Sequence, residues 1–199
     1  MTILPAAYLP SVRYVARIAA GGCVIDTGEH FLKRSERNRA AILTANGPMS
    51  LTVQVSHANR LRVPVRDVRI DYSKRWQHQH WTALVSAYRS SPYFDHYAPR
   101  FERFYNQRWE WLAEYDLALT EMLLGCVGVA MPRVESRYID AAEGDLDLRP
   151  KAAHDPSYRT IPYIQTFADR MDFVPSMSFA DLLFCEGPGA MDVLRDSLR

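Results

Sequence analysis

The sequence predicts an α/β fold: a small, mostly parallel sheet with a βαβ start, followed by a helical half. Three observations carry this expectation. Two apolar, strand-like segments flank an amphipathic stretch within the first 28 residues, two alternating segments rich in β-branched residues follow before residue 73, and helical periodicity dominates from residue 74 onward. A chain of 199 residues is the size of one domain with a substantial core. The reading is therefore a single domain over 1–199, strand-rich over 1–73 and helix-rich over 74–199.

Residues 2–8 (TILPAAY) form the first expected strand. Pro10 opens a helix in which Tyr14, Val15 and Ile18 recur at helical spacing, and Gly21-Gly22 ends it. CVIDTG is the next strand, and a strand pair joined by a helix implies parallel pairing. Tyr8 and residues 26–29 then lie at the carboxyl ends of adjacent strands, where open α/β sheets bind ligands. MSLTVQV (49–55) follows the turn-forming Asn46-Gly47-Pro48. VPVRDVRID (63–71) alternates with Val65, Val68 and Ile70 as its apolar members, and both are expected as strands. Ser73 caps a helix over 74–89, Ser91-Pro92 breaks it, and Pro99 opens another to about 107. A third helix, 109–124, carries Trp111, Leu112, Tyr115, Leu119, Met122 and Leu123 on one stripe. Residues 140–160 read as a long surface loop, YIQTF (163–167) as a short late strand, and Ser178 with Asp181 as a capping box. Gly187-Pro188-Gly189 then precedes a terminal helix.

The formal net charge is only +1, which gives no global attraction to nucleic acid or an acidic membrane surface. Locally the balance is different. Between Lys33 and Arg75 ten Lys or Arg, Arg60 among them, stand against Glu36, Asp67 and Asp71, a local excess of seven positive charges. That is either an anion-attracting face or a set of solvated edges and loops. Cys23, Cys126 and Cys185 show no CxxC spacing, which points to a reducing compartment and away from disulfides and structural zinc. No stretch is long and apolar enough to span a bilayer, and Arg13 and Arg17 interrupt the apolar start, so a cytoplasmic protein is expected.

The histidines do not make a metal site. On a helix, His78 and His80 lie about 200° apart around the axis, and His57, His96 and His154 have no partner at chelating spacing. No metal and no cofactor is expected. His80 flanks the Trp81/Leu84/Tyr88 stripe; it is either a half-buried packing residue or a general acid or base, the side chain that titrates near neutrality unaided. In KRSERNR (33–39), Arg37 and Arg39 alternate around Asn38. On an extended segment both guanidiniums face one way, a plausible anion clamp to which Lys33 adds charge or a desolvated base. The alternative is a solvated edge strand protected by its charges. Cys185, within an apolar helix, reads as a buried thiol rather than a nucleophile.

Many short segments recur in a fixed order: YLP (8–10), Tyr14, Glu29, Lys33, RNR (37–39), ANG (45–47), LTV (51–53), Ile70-Asp71 and Trp76. HW (80–81), AY (87–88), SPYF (91–94), Tyr97, YIQTF (163–167), Phe173, Pro175, DLLF (181–184) and EGP (186–188) continue the series. In these the chain resembles the WbqC-like protein family over nearly its whole length, in the short form ending in DLLF-x-EGP. Cys185 stands where the family pattern usually has Asn, and Gln54 where LTVPV has proline.

The resemblance implies a component of surface-polysaccharide (O-antigen or capsule) biosynthesis, and specifically a transferase that acylates or aminoacylates a nucleotide-activated amino sugar. In that reading the pocket lies between the strand ends (Tyr8, Glu29), the 33–39 segment and the 80–97 helix-turn. Arg37 and Arg39 hold phosphate or carboxylate, Asn38 orients the substrate, and Lys33 supplies charge. His80 handles the proton, and Tyr88 and Tyr93 line the sugar face. The expected partner is a small molecule, a nucleotide-sugar or other anionic ligand, with no nucleic acid and no membrane insertion. Two other readings stay open: a non-catalytic sugar-nucleotide or glycan binding protein assisting a biosynthetic assembly, and a structural partner protein.

Overall fold

The first strand, β1 (Thr2–Pro5), is buried along its whole length, as a strand covered on both faces must be. In the computed structural model, which describes residues 1–56, 62–151 and 153–198, it pairs in parallel with β2 (Cys23–Asp26), Thr2 opposite Cys23 and Pro5 opposite Asp26. His57 and Arg60 lie outside the described residues. The connecting helix, α1 (Val12–Ala19), is capped by Ser11, whose hydroxyl accepts from the Tyr14 amide. It buries Val12, Val15, Ala16 and Ile18. Gly21 and Gly22, at φ +84° and +70°, reverse the chain where a side chain would be strained. The expected βαβ start is present, with the strand ending at Pro5 and the loop 6–10 carrying Tyr8.

An antiparallel hairpin follows, β3 (Arg39–Thr44) against β4 (Gly47–Thr52). Residues 63–71 depart from expectation. They form a 3-10 turn (Val65–Asp67) with isolated bridges on either side rather than a strand. Pro64 has no N–H to give a ladder, and the Val65 and Arg66 amides are spent on the Glu29 and Thr27 carbonyls. The alternation still buries Val65, Val68 and Ile70, so burial followed the pattern although the ladder did not.

The helical half holds α2 (Trp76–Tyr88), α3 (Phe94–Asn106) and α4 (Leu112–Cys126). Ser73 caps nothing: its amide and hydroxyl both turn back to the Asp71 carboxylate, and α2 starts three residues later. Pro99 sits inside α3 rather than at its start, on an exposed face. Leu112, Tyr115, Leu119, Met122 and Leu123 are the buried stripe of α4. Asp116 is buried beside them with no hydrogen-bond partner among the described residues, and burial pushes it well above the usual carboxylate range.

Two further strands complete the sheet in the order β5-β2-β1-β6, all parallel: β5 (Arg133–Glu135) and β6 (Leu146–Asp147). Residues 140–160 are thus a structural segment as well as a loop, supplying β6 and burying Leu148, Arg149 and Asp155. YIQTF is not a strand. The Gln165 amide bonds both the carbonyl and the amide of Val174 and replaces a ladder with one side chain. Ser178 caps α5 (Phe179–Glu186) through the Ala180 amide, but Asp181 does not close a capping box. Its carboxylate instead accepts from Tyr88 at 2.7 Å, Tyr163 at 2.5 Å and Gln165 at 3.0 Å. Phe184 packs its ring 4.8–5.2 Å from those of Tyr88, Phe94 and Phe101, joining α5 to the helical half.

Gly187 ends α5 at φ +52°, and a Cβ placed there meets the Tyr93 ring at 2.5 Å. Gly187→Ala is expected to lower stability by about 2 kcal/mol, through left-handed strain and displacement of the ring together. Urea unfolding against wild type checks this; a change under about 0.5 kcal/mol contradicts the packing described. The last helix, α6 (Ala190–Asp196), packs on α1 and α5.

Candidate functional site: a basic cleft at the strand ends

Chain segments leaving the carboxyl ends of β1 and β2 carry a buried ion network. Asp26 accepts from the amides of Gly28, Glu29 and Ile139 and from Arg149 Nη1 at 2.5 Å. Arg149 reaches it from just beyond β6 and also forks onto Asp147 at 2.9 and 2.8 Å. Beside it, Arg37 grips Glu29 through Nε at 2.9 Å and Nη2 at 2.5 Å, and donates to Ser35 Oγ and the Arg149 carbonyl. Arg37 is 1% exposed. Such bidentate pairs tolerate burial because each guanidinium nitrogen finds an acceptor.

Over this network opens a cleft of about 780 Å3, within the size range of small-molecule sites. Arg13, Arg34, Arg37, Arg39, Arg149 and Lys151 line it, against the two carboxylates of Glu36 and Asp155. The six cations differ in availability. Arg37 and Arg149 are held in ion pairs below, and Arg13 is tied to the Ala153 carbonyl and Glu36. Arg34 and Lys151 are exposed and have no carboxylate partner among the described residues, and half-buried Arg39 donates Nε to Thr52 Oγ1. Asp155 on the far wall is paired with Arg17.

The sequence-predicted residues fall into three groups. Tyr8, Arg37 and Arg39 line the cleft, with Glu29 directly behind Arg37. The 36–38 segment is a turn rather than an extended strand, because the Asn38 and Arg39 amides both bond the Ser35 carbonyl. The two arginines therefore do not form a matched clamp: Arg37 is a buried strut and Arg39 a solvent-facing contact. Asn38 is buried, its Nδ2 on the Val53 carbonyl. Lys33 is exposed on the turn before Arg34 and does not line the cleft.

His80 stands behind the first group. Its Nδ1 shares a 2.8 Å hydrogen bond with the Tyr8 hydroxyl, which also meets the Tyr105 hydroxyl at 3.0 Å. The imidazole packs edge-on to Trp76. Burial pushes His80 down to about 4, so it is neutral at pH 7. It lines a different depression, between β4 and α2. Tyr88 and Tyr93 line neither opening. Tyr88 is buried, accepting from the Leu43 amide and donating to Asp181, and Tyr93 lies under Gly187.

Sequence reasoning placed Asp26 at the strand ends without giving it a role, and missed Arg149 and Lys151 as site components. The available signal was the alternation in DLDLRPK, which puts Leu146 and Leu148 toward the sheet and Arg149 at its end, but two paired residues are too few to read as a strand.

Among the described residues no group of His, Cys, Asp and Glu is arranged to hold a metal, and no helix is long and apolar enough to cross a membrane. Fold and site together define a parallel-sheet α/β protein with a basic, ligand-sized cleft at its strand ends. Within that class the chain belongs to the WbqC-like protein family, whose sequence model matches residues 6–155. The match takes in most of the cleft wall, leaving out Tyr158, Thr160, Ser176 and Ser178, and stops before YIQTF and DLLF-x-EGP. No curated protein and no solved structure matches the chain.

Proposed function

We propose that this protein binds a phosphate-bearing small molecule, a sugar nucleotide by preference, in the basic cleft, as a component of surface-polysaccharide biosynthesis. One observation carries the reading: six cations against two carboxylates converge on a ligand-sized opening at the carboxyl edge of a parallel sheet. Arg34, Arg39 and Lys151 supply the contacts, while Arg37 and Arg149 hold the floor. The family's association with polysaccharide assembly supports the sugar part of the ligand.

Acyl or aminoacyl transfer to an amino sugar is the reaction such binding would serve, with His80 taking the proton. An imidazole that titrates near 4 is a weak base at neutral pH, and its Nδ1 is already engaged with Tyr8. The binding reading accounts for more of the geometry, with His80 holding Tyr8 in place. Calorimetric titration with UDP and UDP-N-acetylglucosamine tests it. Arg39→Ala should weaken both about tenfold to a hundredfold, the worth of one charge-assisted hydrogen bond, and added salt should weaken wild-type binding. Equal affinity in wild type and Arg39→Ala would sink the proposal.

A further inference from the structure

We infer that the depression between β4 and α2 is a second ligand site, and that it takes a neutral polyhydroxylated molecule, a saccharide. The inference extends the binding reading of the basic cleft but rests on different residues. The depression has a volume of about 690 Å3, room for a mono- or disaccharide. From β4 come Ser50 and Thr52, two residues apart and so on one face, with Gln54 continuing the series. From α2 come Gln79, Thr82 and Ser86, spaced so that they share a helix face.

The polar part of this wall is hydroxyl and carboxamide, with the imidazoles of His78 and His80 beside it. Hydroxyls and carboxamides both donate and accept, and among the described lining residues there is no Lys, Arg, Asp or Glu. The contrast with the first cleft is one of lining charge, although Ser50 borders both and Arg39 of the first cleft donates to Thr52 Oγ1. An anion entering here loses its hydration and meets no opposite charge. A purely apolar ligand leaves the hydroxyls and amides unpaired. A ligand whose own groups alternate as donor and acceptor over a compact ring satisfies the wall, and a sugar is such a ligand. Exposed Met49 and half-buried Ala83 add apolar surface of the kind the C–H face of a pyranose covers. His80 borders the depression as a neutral imidazole and adds no charge at pH 7. Through its bond to Tyr8 it also joins the two openings, placing a neutral sugar one hydrogen-bonded pair from the anion cleft.

The test is a titration of the isotopically labelled full chain with two neutral disaccharides, N,N′-diacetylchitobiose and lactose, followed by backbone amide shifts. At millimolar saccharide the amides of Ser50, Thr52, Gln79 and Thr82 should move and those of residues 34–37 should not. Gln79→Ala, at an exposed position that the fold does not depend on, should weaken binding about tenfold, the scale of one hydrogen bond in a site. Added salt should leave it unchanged. Absence of shifts with both sugars, shifts confined to residues 34–37, or no effect of Gln79→Ala would each overturn the inference. Saccharide binding that persists while UDP-N-acetylglucosamine fails to bind would overturn the cleft reading alone.

Discussion

Arg37→Met is expected to lower stability by about 3–5 kcal/mol, the cost of leaving one half of a buried ion pair behind. The guanidinium that disappears makes two bonds to Glu29, one to Ser35 and one to the Arg149 carbonyl. Glu29 stays buried with no counterion. In a chain of this length the loss lowers the melting temperature by about 10 °C. Arg37→Met combined with Glu29→Leu should recover most of it, since removing both charges also removes their desolvation. The deficit of the single variant should depend on pH. Burial already pushes Glu29 up to about 7 against the pull of Arg37, and removing Arg37 raises it further. A carboxyl whose folded value lies above its unfolded one favours the folded state at low pH and loses that contribution as pH rises through the folded value. The variant should therefore suffer less at pH 5 than at pH 8. Urea unfolding at the two values decides; a loss below about 1 kcal/mol at pH 8 contradicts the strut assigned to Arg37.

The second large effect belongs to His80. Its folded value of about 4 lies below the ordinary 6.5, with burial as the cause. The unfolded chain therefore binds a proton first as pH falls, and the stability that a neutral His80 contributes above 6.5 is lost on the way down to 4. Over that window the loss approaches about 3 kcal/mol. Glu29 works in the opposite sense between about 4.5 and 7, so the wild-type profile alone blends the two. The clean quantity is the difference between wild type and His80→Asn, which keeps a neutral partner for Tyr8. Wild type should lose ground to the variant by about 3 kcal/mol between pH 7 and pH 4. Parallel curves would mean that His80 is hydrated and protonated like a surface imidazole.

Much of the frame could be read from pattern. The parallel β1–β2 pair follows from two apolar segments separated by one amphipathic helix, and α2 and α4 follow from Trp81, Leu84 and Tyr88 and from Leu112 through Leu123. The misses share a cause, which is that long-range partners decided the local conformation. Leu146–Asp147 is a strand only because Thr2 and Ile3 lie beside it, and VPVRDVRID is a turn because Glu29 and Thr27 claim its amides. The cleft divides in the same way. Residue type and spacing placed Tyr8, Arg37 and Arg39 on it, but only the fold shows that Arg37 is consumed by Glu29. Arg149 and Lys151, more than a hundred residues further on, could not be joined to them by spacing.

The central claim, an anion site made by Arg34, Arg39 and Lys151 over the Arg37–Glu29 and Arg149–Asp26 pairs, is tested most directly by locating the ligand. Backbone amide shifts of the labelled protein should be followed as UDP-N-acetylglucosamine is added. Saturable shifts are expected at residues 34–39 and 149–158, abolished by Arg39→Ala combined with Lys151→Ala in a protein that remains folded. Shifts that leave both segments untouched, or that survive the double substitution, would contradict it.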